Sequence, residues 1–159
     1  MKGITTFLWF DGQAEEAARY YASVFPNSSV GAATRYGEAG AKASGQPKGS
    51  VMTIPFTLDG KPFVALNGGP IFKFNESVSF VVNCDTQAEI DQYWDKLAAG
   101  GQEAKCGWLK DKFGLSWQII PSALERLLGD ADPKKAKAAF DAMMTMKKIV
   151  IADLQRAAG

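Results

Sequence analysis

The chain contains no histidine. That absence removes the Ser-His-Asp triad, the Cys-His dyad and every metal site that needs an imidazole. The groups left for chemistry are two thiols, carboxylates, and a set of amides and hydroxyls. Cys84 and Cys106 lack the spacing of a zinc site and are too few for a disulfide framework. They read as free thiols that pack as small hydrophobes, in a protein of the cytoplasm. Nothing in the sequence marks Cys106 as an activated nucleophile. Glu76 and Asp111 are the carboxylates nearest the segments of interest, and neither is placed by sequence for proton transfer. Gln118 stands between Trp117 and Ile119 in an otherwise strand-forming run, Leu115–Ile120. An amide there needs a partner if buried, and its natural work is hydrogen bonding.

The bulk properties narrow the classes further. With 159 residues and 47% hydrophobic content, the chain suits one domain or two small fused units. A net charge of +1 gives no electrostatic case for nucleic acid or an anionic membrane. No apolar run approaches the roughly 18 residues of a bilayer span. The N-terminal residues show no secretory h-region with a cleavage site.

The elements that must position these groups follow from periodicity. Ile4–Phe10 reads as a strand, with Asp11 as N-cap of a helix whose stripe is Ala14, Ala17, Ala18, Tyr21, Val24 and Phe25. Pro26-Asn27 ends that helix, and Ser29–Tyr36 is a second strand. Gly37–Ser50, with glycines at 37, 40, 45 and 49 and no periodicity, reads as a mobile loop. Val51–Leu58 and Lys61–Leu66 form a hairpin about Asp59-Gly60, and Pro55 marks an edge strand or a bulge. Val78–Cys84 is a strand. Asp85 caps a helix with the stripe Ile90, Tyr93, Trp94 and Leu97, which Gly100-Gly101 ends. Asp111–Gly114 turns a second hairpin. Beyond Pro121 the pattern is helical: Ser122–Leu128, a helix opened by Asp132-Pro133, and Ala152–Ala158. Met143, Met144 and Met146 read as core or a dimer contact.

A repeat links the two halves. Asp11-Gly-Gln-Ala-Glu15 matches Asp85-Thr-Gln-Ala-Glu89 at an offset of 74, and each copy follows a strand and opens a helix. The prediction is an α+β fold of two β-α-β-β-β units, 3–67 and 77–121, with a linker 68–76 and a helical tail 122–159, all one domain forming a curved mixed sheet. Strand alternation sends Thr6, Leu8, Phe10, Val78, Phe80, Val82 and Cys84 towards the helices. The opposite face, Thr5, Phe7, Trp9, Ser79, Val81 and Asn83, with Trp108 and Gln118, would line a trough if the units curl together. Aromatic walls with a few polar points suit a small-molecule pocket.

The stretches Phe7-Leu-Trp-Phe-Asp-Gly-Gln-Ala-Glu-Glu-Ala, Leu66-Asn-Gly-Gly-Pro, Phe72-Lys-Phe-Asn, Tyr93-Trp-Asp-Lys-Leu and Cys106-Gly-Trp-Leu-Lys-Asp-Lys-Phe-Gly-Leu-Ser-Trp-Gln resemble the PhnB-like branch of the glyoxalase/vicinal-oxygen-chelate superfamily. Automatic naming calls this branch "3-demethylubiquinone-9 3-methyltransferase". The resemblance implies a glyoxalase/dihydroxybiphenyl dioxygenase-like fold. It also implies a divalent metal held by His, Glu or Gln on the first and last strands of each unit. Thr5 or Thr6, Ser79, Asn67 and Gln118 occupy those places, all neutral, so no metal and no cofactor is expected. No glycine-rich turn opens a helix, which argues against methyl transfer. The expectation is a metal-independent small-molecule binder, or an enzyme acting without a tightly held metal, that forms a homodimer and has no nucleic acid and no membrane partner. Gln118, Asn67 and Ser79 would orient the ligand, Trp9, Trp108, Phe72 and Phe74 would wall it, and Cys106 would stand near it. The alternatives are a structural or regulatory dimer with a self-filled trough, and a methyltransferase.

Overall fold

The computed structural model describes residues 3–159. The chain divides into two compact units, Met1–Phe74 and Asn75–Gly159. In the first, β1 (Thr6–Phe10) leads into α1 (Ala14–Val24), followed by β2 (Ser29–Val30), β3 (Thr34–Arg35), α2 (Glu38–Ser44), β4 (Val51–Leu58) and β5 (Lys61–Asn67). Its five-stranded sheet runs β1-β5-β4-β2, with β3 also paired to β4. β1 lies parallel to β5, and β4 and β5 form the antiparallel hairpin about Asp59-Gly60.

The second unit repeats this plan. It contains β6 (Ser79–Cys84), α3 (Gln87–Ala98), β7 (Gln102–Glu103), β8 (Trp108–Lys110) and β9 (Ser116–Pro121). The strand order is β6-β9-β8-β7, and β6 is parallel to β9 as β1 is to β5. The duplicated five-residue motif therefore marks a duplicated topology. After β9 come α4 (Ala123–Leu128), α5 (Pro133–Thr145) and α6 (Ile151–Ala158).

Alternation along the strands fixes which side is core. In the first unit Leu8, Phe10, Ile54, Phe56, Phe63 and Ala65 are buried, as is the α1 stripe Ala14, Ala17, Ala18, Tyr21 and Val24. Three alanines let the helix approach the sheet closely, and Tyr21 stacks at 6.3 Å on Phe56. In the second unit Cys84, Leu109, Trp117 and Ile119 are buried, with Ile90, Trp94 and Leu97 on the α3 side. Each large buried side chain contributes roughly 1.5–3 kcal/mol by leaving water.

Several local expectations need correction. Asp11 does not cap α1: the N-cap position is Gln13, without a side-chain bond. The cap comes from β5, where Asn67 Oδ1 accepts from Ala14 N at 2.9 Å. In the second unit the cap is Thr86, one residue after Asp85, in a full capping box with Glu89. The Gly37–Ser50 segment is not simply a loop, because it contains α2. That helix buries no residue, so it carries no apolar stripe for the sequence to show. The single strand expected over 29–36 is two short ones, broken beside Pro55. Gly31 N donates to Pro55 O at 2.8 Å, and a Cβ at Gly31 would lie 2.9 Å from the proline ring. Pro55 thus lies in a strand paired on both sides, at the point where its outer neighbour is interrupted.

Candidate functional site

The register of the second sheet assembles its polar face. β9 is the middle strand between β6 and β8. Val81 and Trp108 both stand opposite Gln118, while Ser79 and Lys110 stand opposite Ser116. These residues point away from α3. Gln118 Nε2 donates to Ser79 Oγ at 2.8 Å, both partly buried. Trp108 is half-buried and Val81 is 49% exposed. At the far end of the same face, Asn83 and Ile120 meet Leu124, Glu125 and Leu128 of α4 around an open cleft of about 470 Å³. The unit therefore offers one indole wall, one amide–hydroxyl pair and a recess lined by both polar and apolar side chains. This arrangement can hold and orient a small ligand, and it presents no activated nucleophile.

The predicted site residues separate on the structure. Ser79, Trp108 and Gln118 lie together on one face of the second sheet. Phe7 and Trp9 share the open side of the first sheet, and Phe7 is 61% exposed. Trp9 is held by the segment after β5: its Nε1 donates to Gly69 O at 2.8 Å, and its ring meets Phe72 edge-on at 4.9 Å. A Cβ on Gly68 would lie 2.1 Å from the indole, so only glycine fits there. Thr5 is exposed just ahead of β1.

Three predicted members lie elsewhere. Asn67 follows Phe63 and Ala65 on the helix-facing side of β5 and is 6% exposed. Its amide is engaged at both ends, by Ala14 N and by Val51 O at 3.1 Å. The first-unit counterpart of Gln118 is instead Val64, which pairs with Phe7 as Gln118 pairs with Val81. Phe74 packs edge-on against Phe10 at 5.2 Å, on the core side of β1 and away from Trp9. Cys106 faces the tail. Its N donates to Met146 O at 2.9 Å, its Sγ lies 3.6 Å from Met144 Sδ, and it borders the cluster of Leu124, Met143, Ile149 and Leu154.

The carboxylates and the other thiol also resolve. Asp111 is 3% exposed and staples the turn, with Oδ1 accepting from Phe113 N at 2.8 Å and Leu115 N at 3.1 Å. Its Oδ2 accepts from Trp117 Nε1 at 2.8 Å. A carboxylate so engaged is a structural group. The cue in the sequence was an Asp three residues before Gly and six before Trp. Glu76 pairs with Lys110, whose hydrogen bond, with a backbone bond and its charge, holds the Glu76 carboxyl below the usual range. Burial, reinforced by Glu89 and Asp85, pushes the Cys84 thiol up to about 11, so it stays protonated and inert at neutral pH. Lys110 and Ser116 are the members of this face that sequence reading did not single out.

The chain matches the family described as 3-demethylubiquinone-9 3-methyltransferase over residues 2–120. It belongs to that family. Among solved structures, a Bacillus cereus PhnB protein carrying the same family description is 36% identical. The match covers 76% of this chain and 100% of that one, with a TM-score of 0.67. Protein PA1353 of Pseudomonas aeruginosa matches at 21% identity over 76% of this chain and 98% of its own, with a TM-score of 0.59. The fosfomycin resistance protein FosX of Listeria monocytogenes matches at 14% identity, 82% and 99% coverage, and a TM-score of 0.55. These last two show the fold alone: the 3-demethylubiquinone-9 3-methyltransferase family shares the glyoxalase/vicinal-oxygen-chelate architecture. No curated protein sequence matches this chain.

The metal that the resemblance to the vicinal-oxygen-chelate superfamily implies does not fit the residues present. Gln118 turns an N–H, not an oxygen, towards Ser79. Their counterparts Thr5 and Val64 offer one neutral hydroxyl and no amide. Divalent transition metals favour imidazole, thiolate or carboxylate donors.

Proposed function

We propose that this member of the family binds a small molecule on the open face of the second sheet without a tightly held metal. Trp108 provides the wall, and Ser79 and Gln118 orient the polar group of the ligand. The observation that carries the reading is the 2.8 Å Gln118–Ser79 bond on a face with Trp108 and Val81, ending in the cleft beneath α4. Methyl transfer, which the family description names, gains no support from the glycines. Gly68 and Gly69 cradle the Trp9 indole rather than the phosphate or ribose of a cofactor. The test is a thermal-shift screen of aromatic, thiol and quinone-like compounds on wild type and Gln118→Leu. A ligand at 100 times its Kd stabilises the protein by about 2.7 kcal/mol. Hits that shift the wild type and lose their effect in Gln118→Leu support the reading. Uniformly flat shifts would favour a structural dimer instead.

The working form of the protein in this reading is a homodimer. Both first strands are sheet edges, and each exposes one apolar residue on the strand and another just ahead of it. Ile4 (84%) and Phe7 (61%) correspond by the repeat to Val78 (63%) and Val81 (49%). Paired exposed apolar side chains on an edge strand favour burial against a partner. Sedimentation at micromolar concentration is expected to give twice 17.1 kDa, and a monomer would refute this. No helix among the described residues is long and apolar enough to cross a membrane. The two free cysteines suit a reducing compartment.

A further inference from the structure

The polar end of the binding face holds a group without a partner. Ser116 is fully buried, and its Oγ is, among the described residues, a buried side-chain oxygen with no hydrogen-bond partner. Burying an unpaired hydroxyl is costly, so its presence in a strand of otherwise bonded or apolar residues calls for a reason. The sheet register shows what flanks it. Ser116 lies opposite Ser79 on β6 and opposite Lys110 on β8. The Lys110 ammonium forms an ion pair with Glu76, three residues before β6 begins. The pair therefore links β8 to the segment leading into β6, the two strands that flank β9. Its side chains are 32% and 62% exposed, so the strap lies at the surface and is weakly held. Beside it Ser79 accepts from Gln118 and keeps its own hydroxyl proton to give.

We infer that this end is an oxyanion subsite, in which a carboxylate or phosphate group of the ligand replaces Glu76 as the partner of Lys110 and accepts from the Ser116 and Ser79 hydroxyls. The inference rests on the binding face proposed above and names the ligand class for it. An incoming anion keeps the Lys110 charge paired and gives the orphaned hydroxyl a partner, two gains that Glu76 does not provide together. Trp108 supplies the apolar contact for the rest of the ligand.

Three isosteric probes test this: phenylacetate, phenyl phosphate and the neutral phenylacetamide. Each is titrated into wild type, Glu76→Gln, Lys110→Met and Ser116→Ala, with amide shifts of Ser79, Lys110 and Gln118 as readout. The wild type is expected to bind at least one anion about tenfold tighter than the amide. Comparing the two anions separates carboxylate from phosphate ligands. Glu76→Gln, which removes the competing carboxylate, should tighten anion binding roughly threefold. Lys110→Met and Ser116→Ala should lose the preference for anions. Ser116→Ala should also melt no lower than wild type, since it deletes an unpartnered polar group. If anions and amide bind equally at Gln118, the subsite is wrong while the binding face stands. If no probe shifts these amides, both fail.

Discussion

Replacing Asn67 by Ala separates a folding role from a binding role at a residue that sequence reasoning placed in the ligand site. The side chain is 6% exposed and bonds Ala14 N at 2.9 Å and Val51 O at 3.1 Å. Ala14 is fully buried at the start of α1, and Gln13 provides no side-chain cap of its own. Truncation therefore removes a side-chain cap of this helix, worth about 1 kcal/mol, and strands a buried N–H. It also leaves the Val51 carbonyl without its donor, at roughly 1–3 kcal/mol when buried and less here because Val51 is half-buried. The expected sum is about 2–4 kcal/mol. In urea denaturation followed by far-UV circular dichroism, a slope of about 2 kcal/mol/M makes this a fall of roughly 1–2 M in midpoint. Asn67→Asp keeps the acceptor beside the positive end of α1 but turns a second oxygen towards Val51 O, and should fall between Ala and wild type. A change under about 0.5 kcal/mol in Asn67→Ala, with ligand-induced shifts abolished, would refute the reasoning and return Asn67 to the site.

Other expectations follow from the same contacts. Mn²⁺, Ni²⁺ or Zn²⁺ at tens of micromolar should leave the melting temperature of the wild type unchanged, whereas Ser79→His with Gln118→Glu should gain metal-dependent stability; stoichiometric metal in dialysed wild type would contradict this. Gln87 bonds the tail twice, to Ile149 O at 3.1 Å and from Ile151 N at 2.9 Å, so Gln87→Leu should cost about 1–3 kcal/mol locally and raise amide exchange in α6, and unchanged protection there would count against the tether. The Asp91 and Glu103 carboxyls are held low, Asp91 mainly by its hydrogen bond from Lys148 and Glu103 mainly by that from Trp94. Groups lowered in the folded state stabilise it above their ordinary values of 3.8 and 4.5 and lose that contribution as pH falls through the folded pKa. Stability should therefore decline below about pH 4, and less steeply in Asp91→Asn, as read from urea midpoints against pH.

Much of the fold was legible because its strands alternate and its helices carry stripes. The hairpin at Asp59-Gly60, the duplicated unit and the Asp132-Pro133 helix start all rest on local chemistry that the sequence displays. What escaped was non-local or lacked a stripe. The cap of α1 arrives from a residue 53 positions away, so Asp11 looked like the nearest candidate. α2 buries nothing and offers no periodicity. Cys106 adjoins Trp108 in sequence, yet its left-handed backbone, with φ of 58°, turns it towards the tail. Asn67 enters the ligand set through the resemblance, whereas alternation along β5 puts it with Phe63 and Ala65 on the helix-facing side. Within the candidate site, Gln118 and Ser79 were readable as an uncharged polar pair among strand formers. Ser116 and Lys110 were not, because their meaning depends on cross-strand register.

The central claim is that a small molecule is held over Gln118 by Trp108 and the Ser79 pair. The most direct measurement is a crystal structure of the protein as purified, refined against data that resolve bound ligands, with a second crystal soaked in a thermal-shift hit. The account predicts ordered density in contact with the Trp108 ring and within hydrogen-bond distance of Gln118 or Ser79. A face covered by the protein's own side chains or by a second copy, with hits bound elsewhere, would contradict it.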